Sequence, residues 1–553
     1  MVIASNISES KIIVSLIVVS VFLTFTPVQS QTPVYNYFYR VYFRDKGDYA
    51  PDNFVASTLL SEKAISRREK SGIAVPDSAD LPVFREYIDQ IASMGFRLHC
   101  TSKWMNTGLF KTQLQADINP LLNLPYVKDV RIVKRPVTKS LYANKLDFVT
   151  YQADIPPYDR PLTMLKGDAV HSSGYDGTGI LIAVLDGGFI LADVISSLSE
   201  LRNRNGIKAT YDFVSGNQAV YNYSSHGTAV LSILAGTIPL QIQGSAPGAN
   251  FILLRTEDTF SEFPAEEDYW AAGAEFADSA GADIISTSLG YFQFDDPSMN
   301  YKYSDMNGKT TFVTRAADFA ASKGILVVAS AGNERALPWL HIIAPSDGFN
   351  VIAAGAVDGY SVISSFSSAG PSADGRVKPD NVAQGVSVPL QTEESTVSRG
   401  NGTSFSCPVL SGMCACVMQA APAALNTDII RTLHTSADRS ASPDSLYGYG
   451  IPDMSAVVEK LQESLVPKPE NESILGPNPT TGDLEIVFRQ VPGTLVLEIF
   501  TIAGDAVVKR KYEEYIGRTL RISDLQNMDQ GLYFIRLSTS NGTFTHKVIK
   551  VKN

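Results

Sequence analysis

The chain has 553 residues but only 4 cysteines and 6 histidines. So few cysteines leave little material for a disulfide framework. Cys414 and Cys416 stand two apart in a helix-like stretch and point to different faces. Cys407 and Cys414 share a face, but seven helical residues separate their Cα atoms by about 10 Å, too far for a bridge. No histidine joins these cysteines at ligand spacing, which excludes the usual structural zinc patterns. An excess of basic charge is also missing. The formal net charge is −11, without the electrostatic footprint of a nucleic-acid binder. Beyond residue 25 no apolar run is long enough to cross a bilayer. Stability must come from buried cores, and the 44% hydrophobic and 19% charged content suits packed domains, more than one at this length.

Four regions follow one another. Lys11 precedes an apolar run over residues 12–25, and Val28-Gln29-Ser30 offers small residues at signal-peptidase spacing. Residues 1–30 are therefore expected to be a secretory signal cut after Ser30; an uncleaved anchor is the alternative. Residues 31–140 alternate strand-like text (37–44, 96–100, 108–115, 127–133) with helical text (61–70, 81–94), a small α+β unit. Cys100 lies within it. Residues 150–461 carry short, unalternating apolar runs at 180–185, 251–254, 284–287 and 325–329, with helical stretches such as 226–235 and 267–279 between them. That pattern predicts an α/β domain with a parallel sheet covered on both faces. Reactive groups gather at the carboxyl ends of such strands, where Asp186 and Asn333 fall. A linker is expected over 462–475. In residues 476–553, strand text at 484–488, 495–500, 532–537 and 547–551, with an Asn541-Gly542 hairpin turn, predicts a β-sandwich.

Three segments carry the chemistry: Val184-Leu185-Asp186-Gly187-Gly188, Ser225-His226-Gly227-Thr228-Ala229 and Gly402-Thr403-Ser404-Phe405-Ser406-Cys407-Pro408. They supply an anion, a base and a nucleophile, the three roles of acyl transfer. Ser404 stands at the start of a helical stretch whose amide groups favour a developing oxyanion. Pro408 is expected in the first turn of that helix, where a missing N–H is harmless. Taken singly, Ser404 is a plausible helix cap, Asp186 and Asn333 turn residues, and His226 a structural histidine. His171, His341, His434 and His546 have no comparable setting. The serine comes last, and no Gly-x-Ser-x-Gly elbow surrounds it, so the order and the text both argue against an α/β-hydrolase lipase or esterase.

The order Asp…His…Ser with these flanks resembles the subtilisin-like serine peptidases, family S8, from residue 165 to about 461. The resemblance implies that Ser404 is the nucleophile, His226 the base and Asp186 its orienting acid. It implies that the asparagine of Val327-Val328-Ala329-Ser330-Ala331-Gly332-Asn333 donates to the oxyanion, with the Ser404 N–H as second donor. Ser288-Leu289-Gly290 resembles the segment that pairs with substrate backbone, and Ala329-Ser330-Ala331-Gly332 the opposite wall of the pocket. Glu334, next in the chain, is a weak candidate for favouring a basic side chain there. Gly-Gly-Phe after Asp186 departs slightly from the family's text, as does Ser406-Cys407-Pro408 after the nucleophile. By position, residues 31–140 resemble the family's inhibitory propeptide; a permanent N-terminal domain is the alternative.

Pro477-Asn478-Pro479-Thr480-Thr481-Gly482, Ile499-Phe500-Thr501-Ile502-Ala503-Gly504 and Gly531-Leu532-Tyr533-Phe534-Ile535, with Lys547 and Lys550 in the last strand, resemble the C-terminal sorting domains of the type IX secretion system of Bacteroidetes. A carbohydrate- or wall-binding β module is the alternative. The expectation is a secreted or surface endopeptidase made as a zymogen, a monomer acting on proteins or peptides. It would meet the secretion machinery through its last domain and would neither bind nucleic acid nor need a cofactor. Structural calcium, usual in many members, is not predicted, because no Asp/Asn-rich loop stands out. The alternative is an inactive binding or surface protein on the same fold.

Overall fold

The computed structural model describes residues 36–137, 145, 146, 148, 150, 151, 160–465, 473–540 and 542–552. The signal expected at 1–30 and Asn541 of the hairpin turn lie outside them.

The N-terminal unit is a four-stranded antiparallel sheet. Its elements are β1 (Tyr37–Phe43), α1 (Glu62–Lys70), α2 (Arg85–Ser93), β2 (Arg97–Ser102), β3 (Thr107–Thr112) and β4 (Val127–Lys134), in sheet order β2-β3-β1-β4. Helix α1 starts where the sequence suggests, with the Ser61 hydroxyl accepting from the Ala64 N–H. Helix α2 starts later than its apolar pattern does, because Phe84 at its N-cap is extended. Side chains alternate along β1. Tyr39, Val41 and Phe43 join the unit's own core, while Phe38 and Arg40 face the neighbouring domain.

The central domain is built on seven parallel strands: β5 (Leu181–Asp186), β6 (Ile207–Asp212), β7 (Asn250–Arg255), β8 (Ile284–Thr287), β9 (Leu326–Ser330), β10 (Val351–Val357) and β11 (Asn381–Gln384). They lie in the order β11-β10-β9-β8-β5-β7-β6. Strands β6, β10 and β11 have no counterpart in the sequence reading. Both faces are covered, so each strand sends alternate residues to two cores. Ile182 and Val184 pack beneath helices α3 (His226–Ala235) and α6 (Thr403–Ala420). Leu181, Ala183 and Leu185 pack beneath α4 (Ala265–Ala280) and α5 (Phe312–Ser322). All four cysteines are free.

Helix α4 is unusually acidic for a buried element, and the N-terminal unit uses most of that charge. Arg40 on β1 donates from Nε to both Asp268 oxygens (2.9 and 2.8 Å) and from Nη2 to the Pro264 carbonyl (2.7 Å). Glu275 accepts from the Ser102 hydroxyl and from the N–H groups of Lys103 and Trp104. Arg67 and Arg68 on α1 both reach Asp278, and Arg68 also pairs with Asp80 (2.6 Å). The Trp104 ring stacks on Phe319 of α5.

Helix Met454–Leu465 runs past residue 461, where the sequence suggests a linker, and a strand resumes at Ser473. From there two antiparallel sheets form a sandwich. One holds Ser473–Gly476, Leu484–Phe488 and Thr519–Ile522; the other holds Ala506–Tyr515, Gly493–Thr501, Gly531–Thr539 and Gly542–Lys550. Leu484, Ile486, Leu497, Ile535 and Leu537 form its core.

Arg68 is fully buried between two carboxylates. Its replacement by alanine leaves Asp80 without its ion-pair partner and Asp278 with Arg67 alone, a loss of about 3–5 kcal/mol. Urea titration read by limited proteolysis is expected to show the R68A N-terminal unit opening at distinctly lower urea than the parent.

Candidate active site

Asp186 ends β5 inside the sheet and is fully buried. A carboxylate there needs donors. The Gly187 N–H supplies one (2.8 Å to Oδ1). The His226 ring supplies the other, with Nδ1 at 2.9 and 3.0 Å from the two carboxylate oxygens. His226 opens α3, its N–H donating to the Ser224 hydroxyl (3.1 Å). With Nδ1 engaged, Nε2 is left on the cleft side of the ring. The glycine pair after Asp186 has a steric reason. Gly188 has φ 142°, and a Cβ there would come within 2.2 Å of the Asn222 carbonyl oxygen. Behind the turn Arg255, level with Asp186 in the register, donates to the Gly187 carbonyl (3.1 Å) and pairs with Asp212 (3.0 Å).

Ser404 is the second residue of α6. Its hydroxyl donates to the Ser288 carbonyl at 3.4 Å and, among the described residues, makes no hydrogen bond to His226. The Phe148 ring lies edge-on against both the His226 ring (5.6 Å) and the Phe405 ring (5.2 Å). Pro408 is not in the first turn, as the sequence suggests, but the sixth residue of α6, inside the helix. A proline there removes the N–H that would bond to the carbonyl of residue 404. The Ser288 hydroxyl fills that gap, donating to the Ser404 carbonyl at 2.8 Å.

Asn333 follows β9. Its side-chain oxygen accepts from the Thr403 N–H (2.9 Å) and hydroxyl (3.0 Å), which fixes the amide and turns Nδ2 the other way. His226, Ser288, Leu289, Gly290, Ser330, Gly332, Asn333 and Ser404 line one cleft of about 230 Å³. Two of the expected wall residues do not. Ala329 and Ala331 are fully buried, Ala329 in the core beneath α4 and α5, because alternate residues of β9 point to opposite sides of the sheet, and Ala331 just past the strand's end. Glu334 lines the cleft, but burial pushes its carboxyl up and weakens it as a partner for a cation.

The same cleft holds residues that the sequence reading passes over. Lys145 donates its N–H to the Thr259 carbonyl (3.1 Å), and Leu146 covers Gly187 so closely that a Cβ there would meet its Cδ1 at 2.3 Å. Lys145 Nζ sits among Glu257, Glu262 (2.7 Å) and Glu266 (2.7 Å). These are the one group of carboxylates among the described residues close enough to share a cation, and an ammonium holds the centre. The available signal was the density of acids after the apolar run 251–254: Glu257, Asp258, Glu262, Glu266, Glu267 and Asp268. The four histidines read as structural are engaged elsewhere, for example His171 with the Ser245 carbonyl and His341 stacked on Tyr303.

Comparison with known proteins bears on all three parts. Residues 177–450 match the model of the Subtilase family, peptidase S8. Residues 38–146 match the peptidase S8 propeptide domain of Bacteroidota, and residues 475–552 the secretion system C-terminal sorting domain. Subtilisin E of Bacillus subtilis (strain 168) is 29% identical over 301 residues, 54% of this chain and 70% of its own. The subtilisin of Bacillus pumilus is 29% identical over 301 residues, 54% of this chain and 98% of its own. An alkaline protease of Shouchella clausii is 29% identical over 309 residues, 56% and 71%.

Cys407 is packed behind Ser404 against the Thr287 and Val328 carbonyls, and burial pushes its thiol up to about 12. Burial also raises Cys100, Cys414 and Cys416. A raised thiol stays protonated and unreactive. Iodoacetamide at pH 8 is expected to leave the buried Cys407, Cys414 and Cys416 of the native protein unmodified and to label all three in urea, as counted by mass spectrometry.

Proposed function

The chain belongs to the subtilase family, a serine endopeptidase with an S8 propeptide before its catalytic part and a secretion sorting domain after it, and we propose that its reaction runs through Asp186, His226 and Ser404. The observation that carries this is the buried Asp186–His226 pair at the edge of a cleft that Ser404 lines. Asp186 fixes the ring with Nδ1 protonated and stabilises the imidazolium that forms. Nε2 then accepts the Ser404 proton as Oγ attacks the peptide carbonyl, and delivers it to the leaving amine; water repeats the cycle on the acyl-enzyme. Asn333 Nδ2 and the Ser404 N–H, at the start of α6, stabilise the oxyanion. Backbone of Ser288-Leu289-Gly290 pairs with an extended substrate, and Ser330 and Gly332 face it. Every group used is a side chain or a backbone amide, so the step calls on no cofactor.

Lys145, Leu146 and Phe148 line this cleft, with Phe148 against His226, which supports a form blocked by its own chain. The sorting domain marks the protein for export, to the medium or the cell surface. The signal over residues 1–30, action as a monomer, removal of residues 31 to about 140 and later loss of the C-terminal domain from residue 476 complete the proposal.

Ser404→Ala is expected to abolish casein hydrolysis and fluorophosphonate labelling, a fall of about 10⁶ in kcat, as for the same role in subtilisin. Asn333→Ala should lower kcat by about 10²–10³, the loss known for such a donor in subtilisin, with little change in KM. An unlabelled, correctly matured parent protein would instead favour the inactive binding protein. Mass spectrometry of the secreted active form is expected to find residues 31 to about 140 and 476–553 missing.

A further inference from the structure

Glu257, Glu262 and Glu266 are each nine-tenths buried or more, yet they converge on one point beside the active-site cleft, which Glu257 and Glu262 line. Burying one carboxylate is costly; burying three together is tolerable only around a cation. Lys145 Nζ is that cation, at 2.7 Å from Glu262 Oε2, 2.7 and 2.8 Å from the Glu266 oxygens, and in contact with Glu257. The cage is held in shape from outside. Tyr291 donates its hydroxyl to Glu257 (2.7 Å), and the N–H groups of Asp258 and Phe263 donate to Glu266 (2.8 and 3.0 Å). One oxygen is left over: Glu262 Oε1 is buried with no hydrogen-bond partner.

Lys145 lies within the segment that matches the S8 propeptide. When that whole segment leaves, through residue 146 and so a few residues past the boundary near 140 read from the sequence, three buried carboxylates remain around an empty centre, one rim of which is the substrate cleft. We propose that this cage is a specificity subsite that takes a lysine side chain of the substrate, upstream of the bond to be cut, and that Lys145 is the chain's own occupant of it. The inference rests on the peptidase reading above and adds the chemistry of one subsite to it. The convergence on a single point suits a compact ammonium with three donors. A planar guanidinium presents its donors in a wide fork and fits such a centre less well. Glu334, on the opposite wall, has no part in it.

Charge-assisted hydrogen bonds of this kind correspond to about 10–100-fold in affinity each way they are gained or lost. The test uses the matured enzyme and synthetic peptides of residues 141–152 as competitors of casein hydrolysis. Position 145 carries lysine, arginine or norleucine, and enzyme concentration is set by fluorophosphonate titration. The lysine peptide is expected to compete about 10–100-fold more tightly than norleucine, with arginine between them. In Glu262→Gln the ratio of lysine to norleucine should collapse to a few-fold. Equal competition by lysine and norleucine on the parent enzyme, which needs no variant to fold, would overturn the inference and leave the peptidase reading intact. So would a cage that binds calcium, seen as casein hydrolysis that rises with added calcium chloride without a lysine preference. A parent enzyme with neither casein hydrolysis nor a fluorophosphonate adduct would remove the peptidase reading, and this inference with it.

Discussion

The Asp186 carboxylate is the constraint around which the cleft is arranged. A charge at the end of a strand with apolar cores on both sides is stable only if every nearby donor turns toward it. The Gly187 N–H and the His226 ring do so. Each carries a further requirement. The turn that presents the Gly187 N–H continues into Gly188, where a side chain would strike the Asn222 carbonyl, and α3 must begin where its first side chain reaches the carboxylate. Neutralising Asp186 would therefore loosen the histidine, the turn and the start of a buried helix together.

The second support of the cleft is an irregularity. Helices avoid interior proline because an unpaired carbonyl and a steric clash follow. Here the carbonyl released by Pro408 belongs to Ser404, and the hydroxyl of Ser288, from the substrate strip, takes it. The helix that carries the serine is thereby tied to the segment that lines the opposite side. On the other flank Asn333 is tied to the same helix through Thr403. Two side chains from two strand ends thus set the position of one helix N-terminus.

These supports explain what the sequence could and could not disclose. Asp186, His226, Ser404 and Asn333 stand in short local texts, so they are legible from neighbours a few residues away. The strands β5, β7, β8 and β9 are legible because their apolar runs do not alternate, the mark of a sheet buried on both faces. Strand β10, Val-Ile-Ala-Ala-Gly-Ala-Val, escapes because small residues give no period, although it is fully buried. Pro408 is misjudged by a turn because the start of a helix is read from its cap, and Gly402 has no side chain to mark it. Ala329 and Ala331 are misjudged because a four-residue wall ignores the alternation of a strand. The cage around Lys145 is the least legible, since its acids lie more than a hundred residues from the lysine and no local pattern joins them.

The acidic helix α4 meets the N-terminal unit through Arg40, Arg67 and Arg68. Parting the two exposes a ridge of carboxylates on one piece and a set of guanidinium groups on the other. Opposite charges of that kind draw diffusing partners back over distances of about 10 Å, a pull that dissolved electrolyte shortens. A detached fragment therefore returns fastest in dilute medium, and brine makes the separation last.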